Sequence, residues 1–312
     1  MIFYNKIKIF LKRPGQYFRY KKKLLRGLYF HLSKLVHFKT SSSRHLKSNF
    51  PKLTTDKFDL ILKNEGYKSI SYTKLIKNKV NINEVLKTIK YDLKNINPNK
   101  LNNTDDGIIS LKTSKDFNCQ SPELKFVTNK YLIEIVSRYL KCVPILTNLS
   151  IWYSPNNKLF EDSSQKYHLD HEDYKQVKGF LFIEDIDINT GPLTVINASQ
   201  SSNIQKLLNY DMTKSNKRVD DKIIKSLKEK NIIINENIMT GKSGDLLLCD
   251  TSSCFHFGSR LGKNPRVILA FQYITPFGFS MDWDWKNSEK LPFKDYKCDS
   301  NSLLGKVLGN KI

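Results

Sequence analysis

A chain of 312 residues has room for one elaborated domain with a full core, and a composition of 39% hydrophobic and 12% aromatic residues excludes wholesale disorder. No stretch approaches the roughly 18 apolar residues that a membrane-spanning helix needs, and five cysteines with no CxxC pair and no secretory-type leader point to a reducing, cytoplasmic home. The formal charge of +22 is local: residues 1–55 hold fourteen Lys and Arg and no acid, which leaves +8 for the rest, so nucleic acid is not an expected partner.

In chain order, residues 1–50 read as a basic, aromatic arm. Leu24, Leu28, Leu32 and Leu35 recur at helical spacing while Arg19, Lys22, Lys23 and Arg26 lie largely off that stripe. A basic amphipathic helix of this kind suits peripheral contact with the anionic inner face of a membrane; the alternative is a helix packed on its own body with a solvated basic face. Thr40 to Ser43 reads as a linker. From Asp56 the pattern becomes helical through Phe58, Leu60, Ile61 and Leu62 and stops at Glu65-Gly66-Tyr67, and a short strand is expected over Ser69 to Tyr72. Asn83 to Leu93 and Glu123 to Leu140 predict two further helices, with the Asn-rich segment from Asn95 to Asp106 as a loop.

Beyond Pro144 the period changes. Leu146 to Tyr153, Val177 to Glu184, Leu193 to Ile196, Ile232 to Met239, Asp245 to Cys249 and Val267 to Ile274 are short, β-branched or aromatic segments bounded by Gly, Pro, Asn or Asp. Helices first and strands later predict an α+β fold with an antiparallel barrel or sandwich of about six to eight strands. A polar, helix-prone insertion at residues 198–231 is expected to act as a lid or binding loop at the barrel rim. Its lysines, Lys206, Lys214, Lys217 and Lys222, lean toward an anionic substrate.

Chemistry concentrates in the β region. His168 and Asp170 stand two residues apart, so an extended backbone points both to one face, and His256 follows in Cys254-Phe255-His256-Phe257-Gly258 after a predicted strand. Two imidazoles and one carboxylate form the facial triad of non-haem Fe(II) sites. His171, one residue past Asp170, should face the other way, toward substrate or the surroundings of the ligands. Arg266 opens the last apolar strand, where a buried guanidinium needs an anion; its planar fork matches a carboxylate.

These residues resemble the phytanoyl-CoA dioxygenase-like group of Fe(II)- and 2-oxoglutarate-dependent oxygenases across most of residues 56–280. The likeness runs in order through Asn64-Glu65-Gly66-Tyr67, Tyr167-His168-Leu169-Asp170, Val177 to Asp185, Thr190-Gly191-Pro192-Leu193, Gly244 to Leu248, Asp250-Thr251, His256-Phe257-Gly258, Arg266 and Gln272-Tyr273. The resemblance implies a double-stranded β-helix, a jelly-roll or cupin-like barrel flanked by N-terminal helices, over residues 51–285 with its β core at about 144–276 and a C-terminal tail at 286–312. It also implies Fe(II) on His168, Asp170 and His256, with 2-oxoglutarate on Arg266 and further contacts from Lys178 and Thr194. The expected reaction is O2-dependent hydroxylation of an unactivated C–H bond in a small-molecule or acyl/sugar-type substrate. Asp170 occupies the position that halogenase relatives leave open. Where many relatives follow the Gly-Pro turn with Pro-Gly-Ser-His, this chain has Asn197-Ala198-Ser199-Gln200. Two other readings compete: a non-catalytic barrel scaffold whose basic arm binds membrane or nucleic acid, and a cupin-like isomerase or hydrolase using another metal.

Overall fold

The computed structural model describes residues 11–50, 59–95, 107–155, 164–210, 218–258, 260, 262–283, 291–293 and 296–309. The helices are α1 (Pro14–Phe18), α2 (Lys23–Val36), α3 (Phe38–Ser43), α4 (Leu46–Asn49), α5 (Tyr72–Lys77), α6 (Ile82–Lys94), α7 (Pro122–Val127), α8 (Lys130–Leu140), α9 (Ala198–Leu207), α10 (Asp221–Glu229) and α11 (Leu303–Leu308). The strands are β1 (Tyr67–Ile70), β2 (Ile109–Lys112), β3 (Ile145–Ser154), β4 (Tyr167–His168), β5 (Gln176–Phe182), β6 (Leu193–Ile196), β7 (Arg218–Val219), β8 (Glu236–Met239), β9 (Leu246–Cys249), β10 (His256–Phe257) and β11 (Arg266–Ile274).

Two antiparallel sheets result, one in the order β1-β9-β5-β11-β3-β2 and the other β7-β4-β10-β6-β8. Along the chain, β3, β4, β5, β6, β8, β9, β10 and β11 pass between the sheets so that β9-β5-β11-β3 face β4-β10-β6-β8. That winding is a double-stranded β-helix in an α+β setting. Alternation sorts the side chains into layers. Phe180, Phe182, Val195, Met239, Leu247, Ile268 and Ala270 cluster between the sheets. On the outer face of the larger sheet, Val177, Leu181, Leu269 and Phe271 pack against Val85, Ile89, Leu132 and Ile135 of α6 and α8. Strand β11, buried along its whole length, serves both layers, which explains its apolar run from Val267 to Phe271.

Several elements depart from the predicted bounds for local reasons. The predicted helix Glu123 to Leu140 is two helices, because Asn129 accepts a hydrogen bond from the Tyr131 N–H and caps a new start. The first strand ends at Ile70 because Ser71 caps α5 through the Lys74 N–H. Only Glu236–Met239 of the strand predicted from Ile232 pairs; Asn235 instead donates its N–H to Gln200. Residues 59–62 are not α-helical, and Phe58, residues 96–106 of the predicted loop, and Lys214 and Lys217 lie outside the described residues. Gly66 takes φ +76, and a Cβ there would lie 2.5 Å from Cys254 Sγ, so the turn into β1 requires glycine.

The arm and the insertion differ more. Thr40 to Ser43 belongs to α3 rather than to a linker, and the following Arg44 is 1% exposed. Its guanidinium donates to the carbonyls of Val143, Pro144 and Lys306, joining the arm, the approach to β3, and α11. In α2 the leucines do not dock: the buried residues are Arg26, Gly27, Tyr29 and Ser33. Arg26 donates to Asp173 O at 2.9 Å, Tyr29 stacks on Phe18, and Phe30 stacks on Tyr174. In the insertion, Ile204 of α9 with Ile224 and Leu227 of α10 covers Tyr167, Ile196 and Phe257 on the outer face of the smaller sheet. None of its described residues lines the cavity between the sheets, and residues 211–217 lie outside the described residues.

Candidate metal centre

Strand pairing creates the site. His256 stands directly across from His168 between β10 and β4, with ring centroids 4.3 Å apart. Asp170 is carried just beyond β4 and held by its own N–H, which donates to Thr251 O at 2.8 Å. Asp170 Oδ1 lies 3.9 Å from His168 Nε2 and Oδ2 lies 3.8 Å from His256 Nε2, and one ligand atom from each residue falls within 4.8 Å of the others. Among the described residues this is the one group of His, Cys, Asp or Glu that converges as a metal site does.

The donor set fits a divalent transition metal in detail. Nδ1 of His168 is 2.8 Å from Lys166 O, and Nδ1 of His256 is 2.9 Å from Cys254 O. Those carbonyls accept from a protonated Nδ1 and leave each Nε2 lone pair directed at the shared point, the tautomer a metal requires. Burial, with the neighbouring imidazole, pulls His168 down to about 3, and burial also lowers His256, so both rings are neutral at pH 7. Burial opposes ionisation of Asp170, yet Lys178, joined by the two imidazoles when they are protonated, holds its carboxyl below the usual range. Lys178 Nζ sits 2.7 Å from Asp170 Oδ2; burial works against its charge and Asp170 raises it.

A cavity of about 100 Å³ opens on this point, bounded by His168, His256, Lys178 and Arg266 among the apolar walls of Trp152 and Phe180. Arg266 is 5% exposed and donates from Nη1 to Gly191 O at 2.6 Å. Burial brings it down to about 10, still charged at neutral pH. Four of the six residues singled out from the sequence, excluding Asp170 and Thr194, therefore line one cavity, and Asp170 lies against three of them.

Thr194 departs from expectation. Its neighbours Leu193 and Val195 face the space between the sheets, and alternation turns Thr194 the other way, with Ile196. His171 meets the arm: its ring lies 4.8 Å from that of Tyr20. Two supporting residues escaped the sequence reading. Gln176 approaches Asp170 Oδ2 at 3.4 Å and donates to Thr251 Oγ1 at 2.8 Å, and Trp152 forms a wall. Gln176 shares the face of Lys178 at a spacing of two, a signal available in the sequence; Trp152 depends on pairing between distant strands.

No protein-family model matches the chain, and no curated protein matches it in sequence. Among solved structures, EctD from S. alaskensis in its apoform aligns at 13% identity over 78% of this chain and 84% of its own, with a TM-score of 0.46. HygX from Streptomyces hygroscopicus, solved with nickel and 2-oxoglutarate, aligns at 11% over 68% and 83%, with a TM-score of 0.44. SnoN, a non-heme alpha ketoglutarate dependent epimerase from nogalamycin biosynthesis, aligns at 9% over 68% and 79%, with a TM-score of 0.41. Likeness at this level does not define this chain's chemistry, which rests on its own residues.

Proposed function

We propose that residues 51–285 form an Fe(II)- and 2-oxoglutarate-dependent oxygenase of the phytanoyl-CoA dioxygenase-like kind, acting in the cytoplasm. The carrying observation is the convergence of His168, Asp170 and His256 on one point at the foot of a cavity that also receives a buried arginine. His168, Asp170 and His256 would hold ferrous iron, which would supply O2 activation coupled to the oxidative decarboxylation of 2-oxoglutarate. The chain's part is positional. Carbonyls of Lys166 and Cys254 orient the two imidazoles, Gln176 and Lys178 steady the carboxylate, and Arg266 offers its fork to the distal carboxylate of the co-substrate. Trp152, Phe180 and Phe182 give the cavity apolar walls, so the charges of Arg266 and Lys178 act at lowered dielectric. Hydroxylation of a small-molecule or acyl/sugar-type substrate is the outcome assigned.

Anaerobic addition of Fe(II) and 2-oxoglutarate should produce a weak visible charge-transfer band, and admission of air should release succinate. His168→Ala and Asp170→Ala should abolish both. A wild-type protein that binds neither metal nor co-substrate would leave the scaffold alternative standing, while metal binding without succinate would favour the isomerase or hydrolase.

A peripheral membrane contact is proposed with it, on one specific observation. Leu24, Leu28, Leu32 and Leu35 are 83, 54, 52 and 71% exposed, on a helix set in a segment without acids. Among the described residues no helix is long and apolar enough to cross a membrane. An apolar stripe turned outward amid lysines suits the surface of an anionic bilayer. The full-length protein should co-sediment with phosphatidylserine vesicles, and Leu24→Ser/Leu28→Ser/Leu35→Ser should not; equal pelleting of the two would end the idea.

A further inference from the structure

A second cavity, of about 580 Å³, shares no lining residue with the metal centre. Four lysines from four distant parts of the chain meet around it: Lys23 on α2, Lys63 ahead of β1, Lys175 ahead of β5 and Lys206 on α9. The rest of the lining is Ser, Asn, Tyr and Ala, including Ser199 and Ser253, and it contains no acid. The acid felt at this cavity is Asp250, which is fully buried and engaged at 2.6 Å by both the Tyr139 hydroxyl and Ser252 Oγ. Lys175 lies over the Tyr139 ring at 4.9 Å, and among the described residues none of the four lysines forms a salt bridge.

Gathering four ammonium groups sets like charges against one another; the lining holds no carboxylate, and the buried Asp250 behind it offsets part of the repulsion at Lys23 and Lys175. The repulsion registers in the groups themselves: burial lowers Lys23 and Lys175, with Lys63 pushing both further down and Lys206 pushing Lys23. Lysine, serine and asparagine residues lining one polar space match an oxyanion with several acceptors and more than one negative charge. We infer that the cavity bounded by Lys23, Lys63, Lys175 and Lys206 binds a phosphorylated ligand, at a site separate from the metal centre. The phosphate belongs either to a soluble molecule or to a lipid headgroup, since Lys23 adjoins the outward Leu24. The site does not depend on the oxygenase assignment.

Calorimetric titration of the full chain with inorganic tripolyphosphate, beside sedimentation with phosphatidylcholine vesicles with and without phosphatidylinositol 4-phosphate, tests this. Lys63→Gln/Lys206→Gln removes two exposed ammonium groups, and unchanged circular dichroism verifies folding. At least one phosphorylated probe should bind, with affinity falling roughly tenfold or more in the variant, as for two lost charge-assisted hydrogen bonds. Lys77→Gln/Lys87→Gln, equal in charge lost but remote on α5 and α6, should bind as wild type does, and so should His168→Ala. Binding of tripolyphosphate alone identifies a soluble ligand; selective binding of the phosphorylated vesicles identifies a headgroup. If wild type binds neither probe, or if both double-lysine variants lose affinity equally, the site is refuted.

Discussion

Arg266 and Lys178 both bring a cation to the metal cavity, but the structure gives them different work. Lys178 is committed to Asp170 at 2.7 Å, whereas Arg266 is seated by Gly191 O at the start of β11. Arg266→Ala should therefore raise the concentration of 2-oxoglutarate needed for half-maximal succinate release by roughly 10–100-fold, the loss of about 1.5–3 kcal/mol of charge-assisted hydrogen bonding. The iron requirement should barely move. Equal losses in both, measured in parallel titrations, would make Arg266 a structural residue. Gly179 illustrates the same precision on the other face of β5: a Cβ there would lie 2.0 Å from the Phe271 ring, so the position is closed to any side chain.

At the scale of elements, α2 separates stability from surface chemistry. Tyr29 is buried between Phe18 and Phe279, and Tyr29→Ala should cost about 3 kcal/mol or more, read as a lowered Tm in thermal unfolding. The triple Leu→Ser variant of its outer face should hold Tm within the change expected of exposed positions, about 0.5 kcal/mol each, while losing vesicles. A large fall in Tm for that triple variant would show that the leucines serve the fold after all. The helix was legible as a helix from its 3.6-residue period. Which face docks was not, because the stripe reports apolar spacing and the body offers a carbonyl, Asp173 O, and the rings of Phe279 and Tyr174, to which Arg26 and Phe30 are better suited.

For the whole molecule, Asp173 is a junction. It accepts hydrogen bonds from the N–H groups of Tyr174 and Thr275, and its carbonyl receives Arg26, so the arm, the turn before β5 and the end of β11 meet there. Burial lifts its carboxyl to about 7 despite those hydrogen bonds. An unfolded aspartate titrates near 3.9, so between pH ~4 and ~7 the folded chain holds a proton that the unfolded chain has released. The resulting stabilisation is complete below pH ~4 and is lost as pH rises through about 7. Urea unfolding at pH 4 and pH 8 should show wild type losing stability, relative to Asp173→Asn, by a few kcal/mol over that interval. Parallel pH dependence in the two proteins would refute the assignment.

Local pattern was enough to establish much of this. Alternation marked the strands of the β core, and the spacing of His168 and Asp170 placed two ligands on one face, because strand periodicity is a property of neighbouring residues. Tertiary structure alone brought His256 across from His168, turned Thr194 from the cavity, faced the leucines of α2 outward and assembled four lysines from positions 23, 63, 175 and 206. Each of those outcomes depends on which distant segments become neighbours, and on the unlike surfaces they present, quantities that no window along the chain contains.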